Sequence, residues 1–162
     1  MSLMKYKRFE DLPVWKDAIG LAEAIDGLIK GPLAKRKNYC DQLERAVLSI
    51  SNNIAEGFER GTTSELLSFL YISRGSAGEV RSMLRLLERL EPDLKSHISD
   101  LITKSENISR QLWGWMESLK NSEIQGQRRL YDRERKNYQI EKDQKQFLED
   151  LHQKFPEHHK KP

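Results

Sequence analysis

The chain has a single cysteine, Cys40, few aromatic residues (8% Phe, Trp and Tyr) and no long apolar run. Each shortage excludes something. One cysteine rules out an internal disulfide and fits a reducing compartment. No stretch of about 18 apolar residues offers a membrane-spanning helix. The opening MSLMKYKRFEDL lacks the apolar centre of a signal peptide, so a cytoplasmic protein is expected. Net charge is also small: 28 Lys and Arg against 25 Asp and Glu leave +3. No strong overall field attracts nucleic acid, and any basic surface has to come from local clustering.

Chemical machinery is scarce as well. Glu149-Asp150-Leu151-His152 has the E-x-x-H spacing used by di-iron bundles, but such sites need two copies and further glutamates on facing helices. His97 is isolated and His158-His159 is terminal. No Ser, His and carboxylate set has recognisable local context, and Cys40 has no activating arrangement. The expectation is a non-enzymatic protein with no cofactor, no metal and no small-molecule substrate.

What the sequence does contain is apolar spacing of 4, 3, 4, 3, four times over. The first segment runs Val14, Ala18, Leu21, Ile25, Leu28; the second Leu43, Val47, Ile50, Ile54. The third runs Leu66, Leu70, Ser73, Ala77, Val80, Leu84, Leu87; the fourth Leu94, Ile98, Leu101, Ser105, Ile108, Leu112, Trp115, Leu119. This period keeps one seam of each helix facing its neighbours. Pro13 suits a first helical turn, Gly31-Pro32 stops the first helix, and Pro92 separates the third from the fourth. Gly57 is placed to end the second helix near Phe58 through a positive φ. Thr62 and Glu65 have capping-box spacing for the third. A basic linker of about eight residues surrounds Lys35, Arg36 and Lys37, and the other loops are short. Short loops imply antiparallel neighbours. The predicted fold is all-α: an up-down-up-down four-helix bundle over residues 1–120, with a charged tail over 121–162, helical or partly disordered.

Polar residues interrupt this pattern in SISNNIAEG, residues 49–57. Asn53 lies on the core side of the second helix. It is either a polar site inside the bundle or a structural amide paired across helices, and the structural reading is preferred. Arg45 and Glu56 share a side of that helix and have Glu79 and Arg74 of the third available as partners. The third helix carries SRGSAGE, residues 73–79, in which Gly75 and Gly78 each cost about 1 kcal/mol against alanine. The small residues Ser73, Gly75, Ser76, Ala77 and Gly78 are expected to let the second helix approach closely at Ala46, Ser49 and Asn53. A phosphate-cradling glycine loop would need a strand-to-helix turn, and no strand is visible.

Three basic clusters stand out. Arg74, Arg81, Arg85 and Arg89 fall on one side of the third helix; Lys35, Arg36 and Lys37 form a second group; Arg128, Arg129, Arg133, Arg135 and Lys136 form a third. Contact with the backbone of RNA or DNA is one reading. A solvated face with local ion pairs, using Glu88, Asp132 and Glu134, is the other, and it is preferred for a single chain. Oligomerisation would strengthen the first, because each cluster repeats once per subunit. Leu67, Tyr71 and Trp113 lie off the seams and, with Trp15, are candidates for a subunit interface.

Three stretches carry a resemblance: FEDLPVWKDA (9–18), RAVLSISNNIAE followed by Gly57-Phe58, and SELLSFLYISRGSAGEV (64–80). They resemble the four-helix bundle proteins encoded within intervening sequences of bacterial 23S ribosomal RNA genes, whose middle motif reads R-A-x-x-S-I-P-x-N-I-A-E-G. The resemblance covers about residues 9–120. Ser51 replaces that proline, which should leave the second helix straighter, and Ser73 stands where the family often has alanine. The resemblance implies a ring-forming homo-oligomer, characteristically a pentamer. A related bundle assists the reverse transcriptase of diversity-generating retroelements and has a basic surface, which suggests RNA, DNA or ribonucleoprotein binding. Arg45, Asn53, Glu56, Gly57, Gly75, Ser76 and Glu79 carry over as structural or interface residues. The expected function is therefore nucleic-acid binding by an oligomeric bundle; a protein-interaction scaffold that grips its partner through the tail is the alternative.

Overall fold

A computed structural model describes residues 6–121 and 132–154. Helix α1 spans Pro13–Lys30, α2 Lys37–Glu59, α3 Thr63–Leu90 and α4 Lys95–Lys120. A fifth helix, α5, spans Asp132–Lys154. The described residues contain no strand, and the protein is all-α. The chain divides into two compact units, residues 1–126 and 127–162. Among the described residues, no helix is long and apolar enough to cross a membrane.

The predicted seams are the core. Ala18, Leu21, Ile25, Leu43, Ile50, Ile54, Leu66, Leu70, Val80, Leu84, Leu87, Ile98 and Leu112 are buried in one cluster. Helix α1 packs on α2 and α4, and α3 packs on α2 and α4. That arrangement is a four-helix bundle in which neighbours in sequence are neighbours in space. Each burial removes apolar surface at about 25 cal/mol per Å². Pro13 occupies the first position of α1. The Thr62 hydroxyl accepts from the Glu65 backbone N–H and caps α3, as its spacing predicts. The linker between α1 and α2 is residues 31–36, shorter than expected, because α2 begins at Lys37.

Hydrogen bonds set the register around α3. The Ser73 hydroxyl donates to the Ile50 carbonyl at 2.9 Å, and the Ser105 hydroxyl to the Ala77 carbonyl at 2.8 Å. Both serines are fully buried, so each hydroxyl satisfies itself on the backbone of a facing helix. Such a bond requires close approach, which larger seam residues would prevent. It explains why the apolar repeat carries serine at these two positions.

Gly57 does not work as its sequence position suggests. No glycine among the described residues has a positive φ, and α2 continues through Gly57 and Phe58 to Glu59. The reason for glycine is contact. A Cβ there would stand 2.7 Å from the Phe69 Cβ and 3.2 Å from Leu66 Cδ1. Gly75 and Gly78 need the opposite correction: a Cβ at either meets nothing within 4 Å, so neither serves the α2–α3 approach. Ser73, Ser76 and Ala77 are the small residues buried in α3.

Helix α5 lies within the charged tail, which is helical over Asp132–Lys154. Ile140, Phe147, Leu148 and Leu151 are its exposed apolar residues.

Candidate nucleic-acid interface

The amides and carboxylates of the α2 motif separate into an inner and an outer set. Inside, the Ser49 and Ser76 hydroxyls meet at 2.8 Å across the α2–α3 contact. The Asn53 amide donates to the Ser49 carbonyl at 2.7 Å and to its hydroxyl at 3.0 Å. The cross-helix bond thus belongs to Ser49, and Asn53 braces it from the same helix. Outside, Glu56 pairs with Arg60 one turn on, not with α3. Arg45, Gly75 and Glu79 are exposed, and neither Arg45 nor Glu79 joins an ion pair among the described residues. Cys40 is a core residue. Its thiol donates to the Leu33 carbonyl at 3.2 Å, and burial, with Asp41 and then Glu44 adding to it, raises its pKa. A raised thiol is a poor nucleophile at neutral pH.

The basic residues also separate. Arg36 is half-buried against Glu91, where it ties the α1–α2 linker to the end of α3. Its charge is neutralised by that pair, while Lys35 and Lys37 remain exposed. Arg85 faces Glu88 at 3.4 Å and Glu106 at 3.8 Å. Arg89 is exposed at the end of α3. Arg128 and Arg129 lie outside the described residues.

Arg74 and Arg81 differ from the rest of their series. Together with Glu106, Ser109, Arg110 and Trp113 of α4 they line an open groove of about 320 Å³. Three guanidiniums share this groove with one carboxylate, and Glu106 is already engaged by Arg110 at 3.5 Å and by Arg85. The Arg74 guanidinium lies 4.7 Å from the centre of the Trp113 ring, and its Nε is buried with no hydrogen-bond partner. Beyond Trp113, Lys120 Nζ stands 5.1 Å from the Trp113 ring and 5.6 Å from the Tyr71 ring. Hydrogen bonding to Glu117, and then to Tyr71, raises the Lys120 pKa, so the ammonium stays charged. The α3–α4 face is thus a row of Tyr71, Lys120, Trp113, Arg74 and then Arg81 with Arg110. Its donors suit phosphate and its rings suit bases.

The profile of the 23S rRNA-intervening sequence proteins matches residues 10–114. The chain belongs to that family. A crystal structure from Bacteroides thetaiotaomicron, of a protein with unknown function from the S23 ribosomal protein family, has the same fold. Its TM-score is 0.60 and its identity 24%, over 64% of this chain and 98% of its own. No curated protein matches the chain. The family match takes in Arg74, Arg81, Arg110 and Trp113 of the groove and stops short of Lys120 and the tail.

Within this member of the family, the four residues offered as interface do not share one surface. Trp15 meets Phe9 edge-on at 5.3 Å and packs against the core. Leu67 also packs on the core. Tyr71 and Trp113 are exposed at 46% and 44%; Trp113 lines the groove with Arg74 and Arg81, and Tyr71 joins that face through Lys120, which meets both rings. Arg110 is the groove residue that sequence reasoning missed. Its signal is the Glu106, Arg110, Trp113 spacing of one helical face, which becomes meaningful only with the α3–α4 register known.

Proposed function

We propose that this protein is a non-enzymatic, ring-forming bundle, a pentamer by its family resemblance, that binds nucleic acid through the α3–α4 groove. The observation that carries the reading is the charge imbalance there: Arg74 and Arg81 open onto the groove beside Trp113 without an ion-pair partner among the described residues. The family's name, which refers to 23S ribosomal RNA, is consistent with such a partner. Fluorescence anisotropy with labelled RNA and DNA tests it. Affinity is expected to fall steeply between about 50 and 200 mM salt, as phosphate contacts release counterions. Equal affinity at both salt concentrations, or no binding to either nucleic acid, would refute the reading.

Self-association rests on the outer face of α2 and α3. Ile72 is 51% exposed and Leu48 45% exposed. Gly75 is an exposed glycine inside α3, and a Cβ there would meet nothing within 4 Å among the described residues, so a second backbone has room to come close. Light scattering is expected to give a multiple of 19.0 kDa. Ile72→Glu is expected to shift that mass toward the monomer by placing a charge in an apolar contact. A wild-type mass equal to one chain would rule the assembly out.

A further inference from the structure

The row of rings and cations on α3 and α4 narrows the ligand. We propose that the groove takes unpaired nucleotides, with bases stacking on Trp113 and Tyr71 and phosphates held by Arg74, Arg81 and Arg110. This rests on the nucleic-acid reading above and specifies single strands over duplexes.

Large aromatic side chains are favoured where one part is buried and another wet, yet Trp113 and Tyr71 leave nearly half their surface open. Cations occupy the rings instead: Arg74 over Trp113, and Lys120 near both. The two cations are unequal. The Arg74 guanidinium lies over the Trp113 ring and lines the groove with no ion-pair partner among the described residues, and its buried Nε has no acceptor there either. Lys120 is an ammonium on a flexible stem, held at 2.7 Å by Glu117. It can keep that ion pair while it yields the ring. Base stacking on an aromatic ring outweighs an exposed cation–π contact, so a base is favoured to displace it.

Duplexes do not offer this exchange. Their base faces are stacked inside the helix, so a duplex presents phosphates, sugars and base edges but no open base face to a ring. A single strand presents both groups, and the groove volume of about 320 Å³ lies in the range of small-ligand pockets. Glu106, at the Arg81 end, also disfavours a continuous run of phosphates there and leaves the anionic contact to the neighbouring guanidiniums.

The test compares a labelled dT20 strand, a U20 strand and a 20-base-pair duplex on the full chain by anisotropy. At least one single strand is expected to bind roughly tenfold tighter than the duplex. Trp113→Ala is expected to remove that advantage, weakening the single strand about tenfold while duplex affinity holds; Trp113→Tyr should restore part of it. Tyr71→Ala gives a second, independent variant, and circular dichroism confirms that each is folded. Duplex binding equal to or tighter than both strands overturns the proposal and leaves the nucleic-acid reading intact, as does a Trp113→Ala variant that binds every probe like wild type. Absence of binding to all three overturns both.

Discussion

Gly57→Leu is expected to destabilise the bundle by about 3 kcal/mol or more, read as a fall in the urea midpoint and in Tm. Gly57 lies in the last turn of α2, about two turns beyond the Ser49–Ser76 and Ser73–Ile50 bonds that pin α2 to α3. The helices cannot separate without losing those bonds. Even a single added carbon would sit 2.7 Å from the Phe69 Cβ, an atom fixed to the α3 backbone rather than the end of a flexible chain. Leucine adds three more carbons beside Leu66, which is fully buried. Gly57→Ala should fall between, because its helix propensity gains about 1 kcal/mol against the same contact. Gly27→Ala, in α1 and away from the proposed subunit contact, is the control: its Cβ enters open space, so stability is expected to rise by about 0.5–1 kcal/mol. A Gly57→Leu variant as stable as wild type would show that α2 and α3 are not closely packed there.

The contrast between these glycines marks what a linear reading reaches. Apolar periodicity located the core, because a residue repeating at 3.5 positions has to face a neighbour wherever that neighbour is. Leu84, Ile98 and Leu112 are buried for that reason. Ser73 and Ser105 kept their places in the repeat although they are polar, and the structure supplies their partners in the carbonyls of Ile50 and Ala77. Glycine is ambiguous in sequence: it serves a positive φ, a close approach or neither. Only the position of Phe69 distinguishes Gly57 from Gly75. Phe58 lies outside the periodic pattern if α2 ends at Gly57; with the helix continuing to Glu59, it falls on the buried side.

The candidate site was less legible, because it is made of pairs across helices. Arg74, Arg81, Arg85 and Arg89 share a side of α3, but the carboxylates opposite them decide which remain available. Glu88 and Glu106 take Arg85. In sequence Arg36 belongs to a run of three basic residues, and only the fold brings Glu91, 55 residues away, beside it. Sequence position alone assigns Trp113 to assembly and Arg74 to charge, whereas the fold puts the two in contact.

Arg74→Glu combined with Arg81→Glu is expected to weaken nucleic-acid binding on the order of 100-fold at low salt. Two phosphate contacts are removed and two like charges are placed in their path, next to Glu106. Counterion release gives a second, independent signature. Each phosphate contact contributes about 0.7–0.9 to the slope of log affinity against log salt, so the slope should flatten by more than one unit. Both arginines lie at the rim of the core, and the fold is held by the buried seams of α3 and α4. The helical signal should therefore persist, although the ring contact between Arg74 and Trp113 would be lost. Arg36→Glu makes the opposite comparison: it breaks the pair with Glu91, so it should lower stability and leave the salt slope nearly unchanged. If the α3 double reversal binds as tightly as wild type while Arg36→Glu weakens binding, the basic linker, and not the α3–α4 groove, carries the contact.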